Sequence, residues 1–345
     1  MLNVGVDFHK NYSVITEMEE NGDVRNQQKI DNDRTVLKGY LSKLPSDTKI
    51  ALEATCNWYY FYELAEEYDF DISLAHPLKT KAIASAKLMN DKISSTTLAH
   101  LLRANLLPKA YIPDQETRDI REVLRTHAFL ISMRTRIKNR IHAILLKNGV
   151  KCPYSDILGK KSLKWLNTLN FRVCYQEAIK SYIRLAEAFN GEIKLMKQTI
   201  ESLAVENKNA RLLDTHPGIS YYSGLLIASE IGDVSRFSNH GKLCSYAGLV
   251  PTMHASGGKI RRGHITKQGS KWLRWILVEC SAHAVKKSFR YYSLHHRVAY
   301  KHGKGTARIA VARSMLRVMY YMLKYNTPYE ERSGSKKTPV SASGS

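Results

Sequence analysis

Several things are scarce in this sequence at once. Its 345 residues include five cysteines, Cys56, Cys152, Cys174, Cys244 and Cys280, an odd number, far apart and without a CxxC pair. That spacing argues against a disulfide framework or a zinc site and fits free thiols in a reducing compartment. No apolar run approaches the roughly 18–20 residues needed to cross a bilayer. Nor does the N-terminus carry a secretory pattern, because it passes directly into a strand-like segment. A cytoplasmic protein without a membrane partner is therefore expected. The glycine-rich phosphate loops that a sugar kinase or actin-like ATPase would add to an opening GVD strand are missing. Acids are also scarce: 31 Asp and Glu stand against 53 Lys and Arg, a formal net charge of +22. The cationic excess is spread along the chain from about Lys79 onward. It predicts a polyanionic partner, nucleic acid, held with strong salt dependence.

Against that background three acids stand out, because each sits at the end or start of an apolar run. Asp7 closes LNVGVD, Glu53 closes KIALE, and Asp91 opens DKISSTTLAHLL. Carboxylates placed at strand ends can converge on one sheet edge and supply the oxygen ligands of Mg²⁺, which stabilises charge on a phosphate under attack. Each acid taken alone is also compatible with a solvated strand end.

The chain is longer than one core usually fills, so two or three domains are expected. Residues 1–112 alternate strand-like and helix-like segments. Strands are expected at Val4–Val6, Tyr12–Thr16, Val24, Ile50–Leu52 and Ile72–Leu74, and helices near Thr35–Leu44, Trp58–Tyr68 and Ser94–Asn105. This βββαβαβα order implies a mixed sheet flanked by helices. Residues 113–210 change character. Ile179, Tyr182, Ala186, Phe189, Ile193, Met196, Ile200 and Leu203 repeat at alternating spacings of three and four, a coiled-coil seam. Ile120, Val123, His127, Leu130, Arg134, Ile137, Ile141 and Ile144 keep the same spacing. The two helices could form an internal antiparallel hairpin or a dimer interface. Arg118, Arg121, Arg125, Arg136, Lys138, Arg140 and Lys147 lie off the seam on a face almost free of acids, which makes them candidates for nucleic-acid contact.

Residues 211–332 read as a mostly helical C-terminal domain. It opens with a helix, a turn at His216-Pro217-Gly218-Ile219 and a second helix ending at Ile231-Gly232. In this helix-hairpin-helix pattern Gly218 would let the backbone approach a phosphate. Between later helices lies the segment His254–Gly269, with Ser256 next to Gly257 and Gly258 and close to Lys259, Arg261, Arg262 and Lys267. A serine hydroxyl in a basic loop could attack phosphorus while the cations neutralise the other oxygens; a plain turn serine fits the same local sequence. Residues 333–345, rich in Ser, Gly, Lys and Thr, read as a disordered tail.

Taken in order, VGVDFHK, IALEAT, NDKISSTTLAHLLRANLLP, the PGI hairpin followed by EIGDVSRF, YAGLVP and SGGKIRRGHITKQG resemble the bacterial insertion-sequence transposases related to Piv DNA invertase, recombinases guided by a bridge RNA. The resemblance covers nearly the whole chain except the tail. It implies an N-terminal RuvC-like domain of ribonuclease-H fold carrying a DEDD set of metal-binding acids, a coiled-coil region, and a C-terminal domain supplying a serine nucleophile. Carried over by position, Asp7, Glu53 and Asp91 are the first three acids, and the fourth belongs three residues after Asp91. Here that position is Ser94, a departure that removes a charge and a ligand. The resemblance further implies that Ser256 forms a phosphoserine link to DNA, with Mg²⁺ as cofactor. Arg261, Arg262 and Lys267 would contact phosphate, and donor and target DNA and a non-coding guide RNA would be the partners. It also implies a homo-oligomer, a dimer assembling into a tetramer. Two other classes fit parts of the same sequence: a Holliday-junction-type metal-dependent nuclease that uses water, and, because of Ser94, a catalytically inactive nucleic-acid-binding protein.

Overall fold

The computed structural model describes residues 1–55, 57–84, 90–256 and 259–331, with side chains at all of these except 254–262. Cys56 and the tail from Ser333 onward lie outside the described residues. The chain divides into two compact units, residues 1–112 and 113–345.

The first unit consists of β1 (Asn3–Phe8), β2 (Tyr12–Met18), β3 (Val24–Asp31), α1 (Arg34–Leu41), β4 (Lys49–Glu53), α2 (Trp58–Glu66), β5 (Asp71–Ala75), α3 (Pro77–Ile83) and α4 (Asp91–Arg103). Its sheet has the order β3-β2-β1-β4-β5. The β1–β2 and β2–β3 pairs are antiparallel, whereas β4 runs parallel to both β1 and β5. The two-residue period of a strand divides β1 cleanly. Val4, Val6 and Phe8 join the core built with Leu37 and Leu41 of α1 and Phe61 of α2. Gly5, on the opposite face, lies beneath α4: a Cβ built there would stand 2.0 Å from the Ser95 carbonyl oxygen. The register aligns Gly5 with Ala51 of β4 and Ala51 with Ser73 of β5. A row of small residues thus crosses the sheet where α4 packs closest.

Hydrogen bonds then fix α4 in place. Thr16 Oγ1 shares a 2.8 Å bond with Ser95 Oγ, and both residues are fully buried. From β3, Gln27 Nε2 donates to Thr16 Oγ1 and Thr96 Oγ1 at 2.9 Å each and to the Lys92 carbonyl at 3.2 Å. Strands β2 and β3 and helix α4 are tied together by this small polar cluster, whose centre at Thr16 and Ser95 is buried with its partners satisfied.

The second unit contains α5 (Gln115–Lys147), α6 (Lys160–Leu166), α7 (Val173–Glu206), α8 (Lys208–Asp214), α9 (Tyr221–Ile231), α10 (His240–Tyr246), β6 (Pro251–Ser256), β7 (Lys259–Ile265), α11 (Lys271–Lys287) and α12 (Phe289–Tyr325). Helices α5 and α7 pack on each other within the chain. Arg134 Nη1 donates to Asn190 Oδ1 and Arg140 Nε to the Tyr182 hydroxyl, so α7 descends as α5 rises and the pair is antiparallel. Ile137, Ile141 and Ala186 are buried together in one cluster, while at the other end Ile120, Leu124, Ile200 and Ala204 enter the core shared by α8 to α12.

That second packing corrects the reading of the α5 arginines. Arg121 is 7% exposed and donates through Nε and Nη2 to the Ser229 carbonyl at 2.9 and 2.7 Å. Arg125 Nη2 reaches Oε1 of Glu230 at 2.8 Å, and Arg118 is buried as well. Glu230 itself is 2% exposed and also accepts from Ser270 Oγ at 2.8 Å. Two of the proposed nucleic-acid cations are therefore spent on the C-terminal end of α9 and its buried carboxylate. Seam spacing along a single helix cannot register a third element packing across it. Arg136 and Arg140, further along α5, remain exposed. Removing Glu230 would strand the Arg125 charge. Glu230→Ala is expected to cost about 3 kcal/mol of stability and Glu230→Gln clearly less, checked by chemical denaturation of the two variants side by side.

The HPGI turn is also shaped by packing. Gly218 has φ +86°, and a Cβ there would lie 2.5 Å from the Ala284 backbone nitrogen of α11. Helix packing by itself accounts for the glycine at this turn, independently of the phosphate approach expected for it. His216 is buried beside it. Its Nδ1 faces the Pro217 carbonyl at 3.0 Å, which can only accept, so Nδ1 carries the proton and Nε2 accepts from the Tyr291 hydroxyl at 2.7 Å. Burial holds this imidazole well below its ordinary range, at about 4.

Candidate active site

The acidic site grows out of the end of β1. Asp7, on the face covered by α4, is buried at 5% exposure, and Glu53 closes the adjacent parallel strand β4. Asp91 arrives from the opposite side as the first residue of α4. Asn90 caps that helix by accepting from the Ile93 amide at 2.8 Å, which fixes where the helix begins and therefore where Asp91 points. Helix α4 starts three residues earlier than its apolar pattern suggested, placing Asp91 in its first turn.

Between the two aspartates stands a residue that sequence reasoning missed. His9 Nε2 lies 3.5 Å from Asp7 Oδ2 and 3.3 Å from Asp91 Oδ2. One ligand atom from each of Asp7, His9 and Asp91 falls within 4.8 Å of the others. The signal was present in VGVDFHK, because residues two apart in an extended chain share a face. Tyr12 adds a 3.0 Å hydrogen bond from its hydroxyl to Asp91 Oδ2.

Electrostatics give the site its character. The Asp7 carboxyl is pushed up to about 6, first by burial and then by the negative charges of Glu53 and Asp91, against the opposing pull of His9. Clustered carboxylates whose charge is penalised in this way favour added positive charge among them. His9 Nε2 is buried and makes no well-directed hydrogen bond despite its closeness to two acids. Hard oxygen donors in excess of local positive charge, with an imidazole nitrogen among them, fit a divalent cation. Ser94 stands one helical turn after Asp91, half-buried, and offers that cluster no charge. Its neighbour Ser95 is the one engaged with Thr16, so the two serines of DKISS have separate surroundings.

In the second unit the segment expected as a flexible loop around Ser256 is instead a two-stranded antiparallel hairpin. Ser256 is the last residue of β6, and its backbone pairs with Lys259 of β7. His254 pairs with Arg261 and Met253 with Arg262. The side chains of Ser256, Arg261 and Arg262 lie outside the described residues. The root of the hairpin is tightly built. A Cβ at Gly269 would meet the Tyr246 carbonyl oxygen at 2.1 Å, and one at Gly248 the Gln268 carbonyl oxygen at 2.5 Å; both glycines have positive φ. The YAGLVP and KQG motifs are thus the two sides of one crossing of backbone. Ser270, which caps α11 and bonds to Glu230, lies next to it. Lys267 is exposed at this root.

Comparison with known proteins matches both units. Residues 4–148 match the DEDD transposase model of the IS110 type, and residues 210–296 match the model described as Transposase IS116/IS110/IS902 family. The sheet with its acid cluster and the helical second unit are thus those of a transposase with a RuvC-like DEDD domain. The chain belongs to the IS116/IS110/IS902 family of transposases. Among its relatives, the Sinorhizobium fredii protein y4qE is 24% identical over 81% of this chain and 70% of its own length. The transposase for insertion sequence element IS1328 of Yersinia enterocolitica is 25% identical over 81% of this chain and 82% of its own. The pilin gene-inverting protein of Moraxella bovis is 36% identical over 36% of this chain and 40% of its own. No helix among the described residues is long and apolar enough to cross a membrane.

Proposed function

We propose that this transposase is a cytoplasmic bacterial recombinase that cuts and rejoins DNA through a phosphoserine intermediate at Ser256, guided by a non-coding bridge RNA. The observation that carries the reading is the convergence of Asp7, His9 and Asp91 from β1 and α4 around space for one cation, with Glu53 beside them. Asp7, Glu53 and Asp91 would hold Mg²⁺. When bound, such an ion supplies positive charge that lowers the cost of negative charge on the scissile phosphate. The Ser256 oxygen attacks phosphorus and bonds to the 5′ phosphate of the DNA, the P–O3′ bond breaks, and a free 3′ hydroxyl leaves. Reversal of that exchange with a new 3′ hydroxyl rejoins the strand and frees the serine. Arg261, Arg262 and Lys267 neutralise phosphate oxygens near the hairpin, and exposed Arg136 and Arg140 on the α5–α7 coiled coil contact nucleic-acid backbone. Base pairing with the guide selects donor and target sites, and the chain works as a dimer that assembles into a tetramer.

Ser94 favours a second reading, a chain that binds nucleic acid but cuts weakly or not at all. Restoring Ser94→Asp should raise Mg²⁺-dependent strand transfer, and no gain would support that reading or a water-using nuclease. Ser256→Ala separates the nuclease from the recombinase. Covalent protein–DNA adducts trapped by denaturing gel should vanish under the proposed reading, while cutting without adducts would defeat it.

A further inference from the structure

The span α12, broken by a kink at Gly303 where φ is +81°, contains 37 residues and not one acid, while eight are Lys or Arg. Its C-terminal half turns Met315, Leu316, Met319 and Tyr320 into the core. The outward positions follow every fourth residue: Arg313, Arg317, Tyr321 and Tyr325 are all exposed, forming one stripe along the helix. The two rings are parallel within 6°, with centroids 6.1 Å apart, and are exposed by 38% and 62%. Tyr321 is steadied by His240 of α10, whose Nδ1 lies 3.2 Å from its hydroxyl. Lys324 stands 5.9 Å from the Tyr325 ring centre. Arg313 and Arg317 make no ion pair among the described residues. Beside the stripe runs an open groove of 620 Å³ bordered by Arg290, Arg317, Tyr321, Tyr325, Tyr329 and Glu330. Among the described residues of that lining, Glu330 is the one acid. Neighbouring Glu331 is occupied by Ser288 and Tyr329.

Exposed rings are costly to leave in water, and two set parallel on a rigid helix offer flat apolar faces to stack against. Cations one and two turns away supply phosphate contacts. Bases in a duplex are already stacked and cannot reach such faces, whereas unpaired bases can. We propose that the Arg313–Arg317–Tyr321–Tyr325 stripe is a binding site for a single-stranded, unpaired nucleic-acid segment, with bases on the tyrosines and backbone along the arginines. The proposal rests on the nucleic-acid reading above and locates a contact that neither the acid cluster nor Ser256 provides. The charge distribution of this surface sets the strand's path: phosphates run toward Arg313 and away from Glu330.

The test uses the full chain and fluorescence anisotropy with short single-stranded RNA, single-stranded DNA and duplex DNA. Tyr321→Ala and Tyr325→Ala should each weaken single-strand binding by about 10-fold and leave duplex binding unchanged. Tyr321→Phe and Tyr325→Trp should retain it. Arg313→Ala and Arg317→Ala should each reduce the slope of log affinity against log salt by about 0.7. A loss confined to RNA assigns the segment to RNA, one confined to DNA assigns it to an opened DNA strand, and equal losses assign it to either; all three support the site. Alanine variants that bind single strands like the parent overturn this inference alone. A parent chain that binds none of the three probes overturns the nucleic-acid reading with it.

Discussion

Asp7→Asn should lower Mg²⁺-dependent strand cleavage by at least about 1000-fold and, in the metal-free protein, raise stability at pH 7. The two effects have one origin. Asp7 titrates at about 6 in the folded chain against an ordinary 3.8, chiefly because burial disfavours its charge. Between those values the folded state keeps a proton that the unfolded state has released. Stability therefore falls as pH rises through that window and stays lowered above it. The full difference is worth about 3 kcal/mol, and about 1–2 kcal/mol once solvent screening beside half-exposed His9 and Asp91 is allowed for. Asparagine has no charge to bury and escapes the loss. A bound divalent cation would offset the same cost, so Mg²⁺ should raise the thermal midpoint of the parent chain and not that of Asp7→Asn. Thermal unfolding at pH 4.5 and pH 7, with and without the ion, checks each part. A variant that loses stability at pH 7, or still gains from Mg²⁺, would remove Asp7 from the metal cluster.

The second large effect lies two residues before Asp7, on the same face of β1. Gly5→Ala should destabilise the first unit by about 3 kcal/mol or more and abolish its response to divalent cations. The backbone of Gly5 is not in the left-handed region, so the obstacle is space alone. The new Cβ would stand 2.0 Å from the Ser95 carbonyl oxygen and 2.6 Å from the Ala99 nitrogen. Backbone atoms of α4 cannot step aside as a side chain could, so the whole helix must lift. Lifting breaks the Thr16–Ser95 bond and the Gln27 contacts, and carries Asp91 away from His9 and Tyr12. Gly39 in α1 is the matched control. A Cβ there meets nothing within 4 Å, so Gly39→Ala should be neutral or stabilising by about 0.5–1 kcal/mol. Urea midpoints of the two variants and metal-induced thermal shifts decide the matter.

These cases show which parts of the molecule could be read from residue order. Asp7 and Glu53 were legible because an acid at the end of an apolar strand is out of place unless something needs it there. The strands at Ile50–Leu52 and Ile72–Leu74 were legible from their short apolar runs between turn residues. His9 sat two residues beyond Asp7, just past the end of β1, and was overlooked, since its partner Asp91 lies more than eighty positions away. The Gln27–Thr16–Ser95 cluster was beyond reach for the same reason: polar residues in a sequence do not announce which others they will meet. Arg121 and Arg125 misled because an amphipathic helix looks cationic outside whether its outer face meets water or a buried glutamate. Ser256 was read as a loop residue because its flanking glycines mark a turn equally well in a coil or at the tip of a strand pair.

The crossed backbone at Gly248 and Gly269, braced through Ser270 by Glu230, divides the β6–β7 arm into two regimes. Its root is masonry: a side chain at Gly248 or Gly269 would run into a neighbour's carbonyl, and Ser270 beside them is tied to a buried ion pair. Toward Ser256 the backbone of β6 is paired with β7. Substitutions at Gly248 or Gly269 should therefore cost fold stability before they touch reactivity, and laboratory selection for altered recombination should find few tolerated changes at these two positions.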